Sequence, residues 1–147
     1  SLTDDDTGKT LEDELHVCRL YLRIEQLRLG ERLSVDWQVD ESLITQSMPS
    51  LILQPLIENA VYHGVAQLPD GGVIRISISS EDGYLLAEIE NPLPTDGSAR
   101  AGSGMHMALE NIHQRLQALF GEQGKCSAGQ DGSIFRVNLS YPLAGGL

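Results

Sequence analysis

The chain has 147 residues, of which 41% are hydrophobic, and a formal net charge of −11. This length and balance predict one globular domain with a sizeable core. The acidic excess argues against a nucleic-acid-binding protein, because such proteins need a basic patch. It also means that an anionic ligand must arrive with a cation or meet local positive groups.

Cysteine content and hydropathy narrow the class of protein further. Cys18 and Cys126 do not have the spacing of a metal site, so two reduced thiols are expected. No apolar run is long enough for a transmembrane helix. Residues 1–9 are acidic and polar and begin without Met. We predict that they are disordered or a tag remnant, which leaves membrane segments upstream open.

The first predicted helix begins after Thr10, which forms a capping-box pattern with Asp13, and ends near Gly30. Its apolar side chains form a narrow stripe, which consists of Leu11, Leu15, Cys18, Leu22 and Leu29. A stripe of this width is typical of a helix that packs against another helix. Either this helix packs on the rest of the domain, or its partner helix lies upstream of residue 1.

Residues 50–65 predict a second helix with two different faces. Its apolar side chains share one face and comprise Leu53, Leu56, Ile57, Ala60 and Val61. The other face carries Pro55, Glu58, Asn59, Tyr62 and His63. An amide oxygen suits Mg²⁺, which usually sits on a phosphate chain. A polar helix face is nevertheless more often solvated surface than a binding site.

Five stretches predict β-strands, mostly by alternation of apolar and polar residues. They lie at about residues 34–39, 74–79, 84–91, 125–129 and 134–141, and a Gly- and Pro-rich loop at 92–104 precedes a third helix at about 105–120. This order predicts an α+β two-layer sandwich, in which helices cover one face of a mixed, mainly antiparallel sheet.

Three parts of this fold can meet at one site. Alternation along the third strand places Asn91 on the same face as the apolar residues of that strand, between the sheet and the helices. Gly102-Ser103-Gly104 opens the third helix, and a helix N-terminus offers free N–H groups to phosphate. Such a glycine pair is by itself more often a flexible loop. The combination with Asn59 is what favours a nucleotide site.

Four stretches of the chain read LQPLIENAVYHG, IENP, GSGMHMALENIHQRLQALFG and FRVNLSYPL. They resemble, in this order, the N-box, the first glycine box, the second glycine box with its helix, and the closing strand of the LytS-type sensor histidine kinases. The preceding LEDELHVCRLYLRIEQLRLGERL resembles the last helix of their dimerisation domain. The resemblance implies a GHKL-type ATP-binding fold. It also implies a dimerisation-domain helix at residues 10–30 and an ATP-binding catalytic domain at 31–147.

The resemblance implies ATP and Mg²⁺ as ligands and a role for each matched residue. Asn59 would coordinate Mg²⁺, and Asn91 would accept a hydrogen bond from the adenine amino group. Gly102 and Gly104 would face the phosphates, and residues 92–103 would form a lid over the nucleotide.

Four further residues are candidates in this comparison. His63 is retained beside Tyr62 and Asn111 lies on the third helix, and both would contact the nucleotide. Asn111 and Arg115 match family positions on that helix, and Glu58 is a candidate catalytic carboxylate. Glu58 lies about 100° from Asn59 around the helix axis, so the two need not share a site. For Asn111 and Arg115, ordinary helix surface or packing is an equally consistent interpretation.

The chain departs from the family pattern at the presumed site. Tyr62 stands where most members have Lys, and Asn91 stands where they have Asp, in a segment without glycine. His106 stands where a glycine is usual under one alignment of the second glycine box. Each loss is expected to weaken nucleotide binding, by about 1–3 kcal/mol if a buried partner is left unpaired. The alternative hypothesis is therefore a degenerate GHKL module that binds little or no nucleotide and acts as an interaction domain.

The resemblance also implies partners. None of His16, His63, His106 and His113 has the family's Asn-Pro-His-Phe context, so the phosphoacceptor histidine is expected upstream. Expected partners are the protein's own dimerisation and phosphoacceptor domain, a second copy in the full-length homodimer, and a LytTR-type response regulator. We expect a cytoplasmic domain of a bacterial sensor that is anchored in the inner membrane only through upstream segments.

Overall fold

The computed structural model describes residues 9–94 and 103–144 and places three helices against one five-stranded sheet. The helices are α1 (Leu11–Leu29), α2 (Leu53–Asn59) and α3 (Ser103–Phe120). The strands are β1 (Leu33–Val39), β2 (Gly72–Glu81), β3 (Tyr84–Pro92), β4 (Lys125–Asp131) and β5 (Ile134–Pro142). Of the helices in these two ranges, none is long and apolar enough to cross a bilayer.

The sheet has the order β1-β2-β3-β5-β4. β1 runs parallel to β2, and every other neighbouring pair is antiparallel. The turn between β2 and β3 places Asp82 and Gly83 at φ values of 53° and 84°. Two successive positive φ values are what a tight hairpin requires, so this turn sets the pairing of Glu81 with Tyr84.

The two faces of the sheet differ in polarity. On β2 the inward side chains Ile74, Ile76 and Ile78 are at most 2% exposed, because they pack in the core beneath the helices. The outward face is polar, and on it Arg136 of β5 pairs with Glu90 of β3 at 3.2 Å. The predicted α+β sandwich with a mainly antiparallel mixed sheet is confirmed.

α1 packs on the domain through the predicted stripe. Thr10 and Asp13 form the expected capping box, and Gly30 ends the helix with a φ of 61°. All five apolar residues of the stripe are buried in the same core as the sheet. Of the two packing alternatives, the one observed is that α1 packs on the rest of the domain. The shared core does not separate residues 10–30 from the residues that follow. The assignment of α1 to a dimerisation domain stays a prediction.

Burial also lowers the reactivity of the two cysteines. Cys18 is fully buried in α1 and Cys126 is half-buried in β4, and both are free thiols. Desolvation raises the pKa of Cys18 to about 12 and that of Cys126 to about 11. Both groups are therefore uncharged and poorly reactive thiols at neutral pH.

Candidate functional site

The second predicted helix changes geometry where its polar residues lie. α2 ends at Asn59 and continues without a break into a π-helical turn, Ala60–Gly64, followed by a 3₁₀ turn, Val65–Gln67. The sequence predicted one helix over residues 50–65, whereas α-helical geometry covers Leu53–Asn59. Single π-helical turns are rare and occur often at functional sites, because the wider turn redirects side chains.

The polar residues of this segment lie at the edge of the core. Glu58, Asn59 and His63 are half-buried, while Tyr62 is 65% exposed. The carboxylate of Glu58 accepts a hydrogen bond of 3.0 Å from Gln54 Nε2, one turn earlier on α2. This contact holds Glu58 along the helix.

Asn59 has an unpaired amide. Its Nδ2 is buried and has no hydrogen-bond partner among the residues that the structure describes. A buried donor without a partner costs about 1–3 kcal/mol, and such groups are rare in native structures. A polar ligand at this position would account for that cost.

Asn91 lies against the turn that follows Asn59. It is only 2% exposed, and its Nδ2 donates a hydrogen bond of 2.9 Å to the Pro92 carbonyl. A Cβ on Gly64 would overlap Asn91 Nδ2 and lie 2.8 Å from Asn91 Cγ. Only glycine at position 64 permits this approach. The fold therefore brings the end of β3 against the π-helical turn, on the face of β3 that the alternation of its apolar and polar residues predicted.

His63 is held as a neutral imidazole. Its ring packs edge-on against Tyr62, with ring centroids 4.8 Å apart. Partial burial lowers the pKa of His63 from its usual 6.5. At pH 7 this side chain is therefore a hydrogen-bonding group rather than a cation facing a phosphate.

The phosphate-facing part of the predicted site is described only in part. Gly102 and most of the predicted lid lie outside the described residues, and Gly104 lies in the first turn of α3. Asn111 is exposed on α3, as is His106. The exposure of Asn111 agrees with the helix-surface alternative, and its contact with nucleotide stays a prediction.

Two sensor histidine kinases are similar to this chain in sequence. The chain is 36% identical over 134 residues to the sensor histidine kinase BtsS of Escherichia coli strain K12. It is 30% identical over 145 residues to the sensor histidine kinase/phosphatase LytS of Staphylococcus aureus strain MRSA252. Both matches cover 90% of this chain but only 24% and 25% of the relatives, so the chain spans about a quarter of their length. No protein-family model matches the chain.

Solved structures share the fold. The catalytic domain of the histidine kinase ThkA superposes with a TM-score of 0.64 at 10% identity, over 90% of this chain and 93% of that domain. Full-length ShkA in complex with AMPPNP superposes with a TM-score of 0.59 at 19% identity, over 88% of this chain and 30% of ShkA. This chain is related to the LytS-type sensor histidine kinases over the quarter of their length that it spans. The chain has the fold of a histidine kinase catalytic domain.

Two charged residues, Glu14 and Arg115, bond to the backbone at the start of α2, and sequence reasoning missed the first of them. Glu14 of α1 is a buried carboxylate that bonds to the backbone at the start of α2, and Arg115 of α3 donates to the carbonyls of Ser50 and Leu51. The available signal for Glu14 was its place beside Leu15 on the apolar stripe of α1. For Arg115 the alternative of a packing role agrees with these contacts.

Proposed function

We propose that this chain is the ATP-binding catalytic domain of a protein-histidine kinase and that it binds ATP with Mg²⁺ between α2 and the end of β3. The observation that carries the proposal is the unpaired buried amide of Asn59, next to the turn against which Asn91 packs. The similar fold of ShkA, whose structure contains the ATP analogue AMPPNP, supports it.

The donor set fits Mg²⁺ that is bound mainly by phosphate oxygens. Mg²⁺ usually keeps several waters and takes only one or two protein ligands together with substrate phosphates. In ranges 9–94 and 103–144 there is no cluster of three or more His, Cys, Asp or Glu side chains that could hold a metal ion. The Asn59 amide oxygen would be one ligand, and the phosphate chain of ATP would supply others.

Asn91 would recognise the adenine base. Its Nδ2 is engaged by the Pro92 carbonyl, so its Oδ1 is the atom that would accept from the adenine amino group. The Asn91 amide oxygen carries only a partial negative charge, so adenine should bind more weakly than it would to an aspartate. His63, neutral and half-buried, would add a hydrogen bond near the phosphates without adding charge.

Bound Mg-ATP would supply the phosphoryl group, and the side chains of this domain would bind and orient it. In this transfer the bond between the γ-phosphorus and the oxygen that bridges it to ADP would break, a bond from that phosphorus to a histidine nitrogen would form, and ADP would leave. Glu58 follows as the candidate carboxylate to hold the proton of the acceptor imidazole; it is adjacent to Asn59 in sequence, and its side chain points about 100° away around the helix axis. Catalysis in such transfers comes mainly from positioning and charge stabilisation.

The acceptor histidine and the dimer contacts would come from chain outside these residues. α1 presents a second apolar stripe at heptad spacing, in which Val17, Leu20, Ile24 and Leu27 are 41–88% exposed. Such a stripe suits packing against a helix of the phosphoacceptor domain. The phosphoryl group would pass to a LytTR-type response regulator, and the full-length homodimer would be anchored in the bacterial inner membrane by segments upstream.

Calorimetric titration of the 147-residue chain with ATP, with and without Mg²⁺, tests the proposal. We expect binding that requires Mg²⁺ and that is lost in Asn59→Ala. Asn138→Ala, which changes an exposed amide on β5, should bind as the wild type does. Absence of any binding heat at millimolar ATP, for a folded protein, would overturn the proposal.

A further inference from the structure

The start of α2 is held by a side chain from another helix. Glu14, which is 5% exposed, accepts four backbone hydrogen bonds from consecutive residues. Its Oε1 accepts from Leu51 N–H at 3.0 Å, and its Oε2 accepts from Ile52, Leu53 and Gln54 N–H at 3.0, 2.8 and 3.1 Å. A carboxylate here satisfies the free N–H groups of the helix start and interacts favourably with the helix dipole.

Arg115 of α3 holds the same segment from the other side. Its Nη1 donates to the Leu51 carbonyl at 2.6 Å and its Nη2 to the Ser50 carbonyl at 2.7 Å. The peptide groups on both sides of Leu51 are thus bonded to α1 and to α3. Leu51 has a φ of 58°, a conformation that costs free energy for a residue with a side chain. Such a backbone conformation is kept only where several surrounding contacts hold it in place.

α2 needs such contacts because it is short. A helix of seven residues is not stable by itself in water, so tertiary contacts decide its position. Asn59 lies six residues after Leu53, which is about 9 Å along the helix axis. A shift or tilt at the start of α2 is therefore transmitted directly to Asn59 and to the π-helical turn.

We propose that Glu14 and Arg115 are positioning residues for the nucleotide site, which act by fixing the start of α2 so that Asn59 faces the metal and phosphates. The inference rests on the proposed ATP-binding function. Neither residue needs to touch the nucleotide for this role. A misplacement of a binding group by as little as an ångström is enough to impair binding and transfer.

The test distinguishes a positioning role of Glu14 and Arg115 from a general effect of these residues on stability. Glu14→Gln removes the charge and one acceptor oxygen but keeps the size of the side chain. Arg115→Lys keeps the charge but loses the two-pronged grip on the carbonyls. Glu12→Gln makes the same chemical change at an exposed position of α1. Leu15→Ala destabilises the core on the same helix and leaves the Glu14 hydrogen bonds to the start of α2 in place.

Two measurements are made where each variant is fully folded: the dissociation constant for Mg-ATP, and amide hydrogen exchange of residues 58–63 without nucleotide. We expect Glu14→Gln and Arg115→Lys to weaken Mg-ATP binding about tenfold, which is about 1.4 kcal/mol. We also expect both to accelerate exchange in residues 58–63. Glu12→Gln and Leu15→Ala should keep wild-type affinity and a wild-type exchange rate relative to the rest of the core.

The inference is overturned if Glu14→Gln binds Mg-ATP within about twofold of the wild type, or if Leu15→Ala loses as much affinity as Glu14→Gln. If the wild type does not bind Mg-ATP, the proposed function fails, and hydrogen exchange alone then decides whether Glu14 and Arg115 fix the end of the segment. Unchanged exchange in residues 58–63 of both variants would overturn the inference in that case.

Discussion

The helical segment formed by α2 and the following π-helical turn differs in hydrogen bonding between its two ends. At the start, four consecutive N–H groups bond to Glu14 and two carbonyls bond to Arg115. At the far end, the helix widens into a π-helical turn and the buried amide nitrogen of Asn59 has no partner among the described residues. The backbone groups at the start have hydrogen-bond partners on α1 and α3, whereas the Asn59 amide nitrogen has none among the described residues.

This difference separates residues that stabilise the fold from residues that cost stability. A satisfied helix start contributes to folding and holds its position in the absence of ligand. An unpaired buried amide lowers stability and persists where a ligand completes it, which is how strain is distributed at functional sites. Substitutions at the two ends should therefore change stability in opposite directions.

Glu14→Ala should destabilise the protein by about 3 kcal/mol, because it leaves four backbone N–H groups without this acceptor, and those of Ile52 and Leu53 are buried. Urea denaturation measures this loss as a lower midpoint. Glu12→Ala, which truncates an exposed carboxylate of the same helix turn, should change the free energy of unfolding by less than about 0.5 kcal/mol. Equal losses in the two variants would show that the start of α2 does not depend on Glu14.

Gly64→Ala should cost about 2 kcal/mol of stability and displace Asn91, because the new Cβ would overlap the Asn91 amide and lie 2.9 Å from the Pro92 carbonyl oxygen. Thermal denaturation and Mg-ATP titration measure the two effects. Gly129→Ala is the matched control, since a Cβ there has no atom within 4 Å among the described neighbours. Wild-type stability and affinity in Gly64→Ala would contradict the close approach of β3.

Asn59→Leu should raise the free energy of unfolding by about 1 kcal/mol while it abolishes Mg-ATP binding. A side chain of similar shape without polar atoms removes the unpaired donor. Asn138→Leu, at an exposed position of β5, should not be stabilising. A destabilised Asn59→Leu would show that the amide is satisfied in the folded protein and would remove the main support for a ligand there.

The ionisation of His63 should give the smallest effect. Partial burial lowers the pKa of His63 in the folded state below 6.5, so the unfolded chain takes up this proton first on acidification. Its contribution to stability is therefore full above pH 6.5 and is lost as the pH falls towards the folded-state pKa. Denaturation between pH 7.5 and 5 should show a shallower acid-side loss in His63→Gln than in the wild type. Identical pH profiles would contradict this burial effect.

Elements with local signals could be predicted from the sequence. The capping box at Thr10 and the alternation along β3 depend on residues within a few positions of one another, so pattern alone located α1 and placed Asn91 on the buried face. The π-helical turn was missed, because its wider geometry depends on what the turn packs against. The helix predicted over residues 50–65 is for this reason observed as α2 followed by a π-helical turn and a 3₁₀ turn.

The order of the elements and the α+β sandwich follow from local patterns in the amino-acid sequence. Hydrophobic periodicity and turn residues suffice for these, because burial of apolar faces dominates the folding free energy. Only the tertiary structure decided that α1 packs into the core and that Glu14 and Arg115 meet at Leu51. Residues 14, 51 and 115 are far apart in sequence, and no local pattern records which backbone groups a buried charge will satisfy.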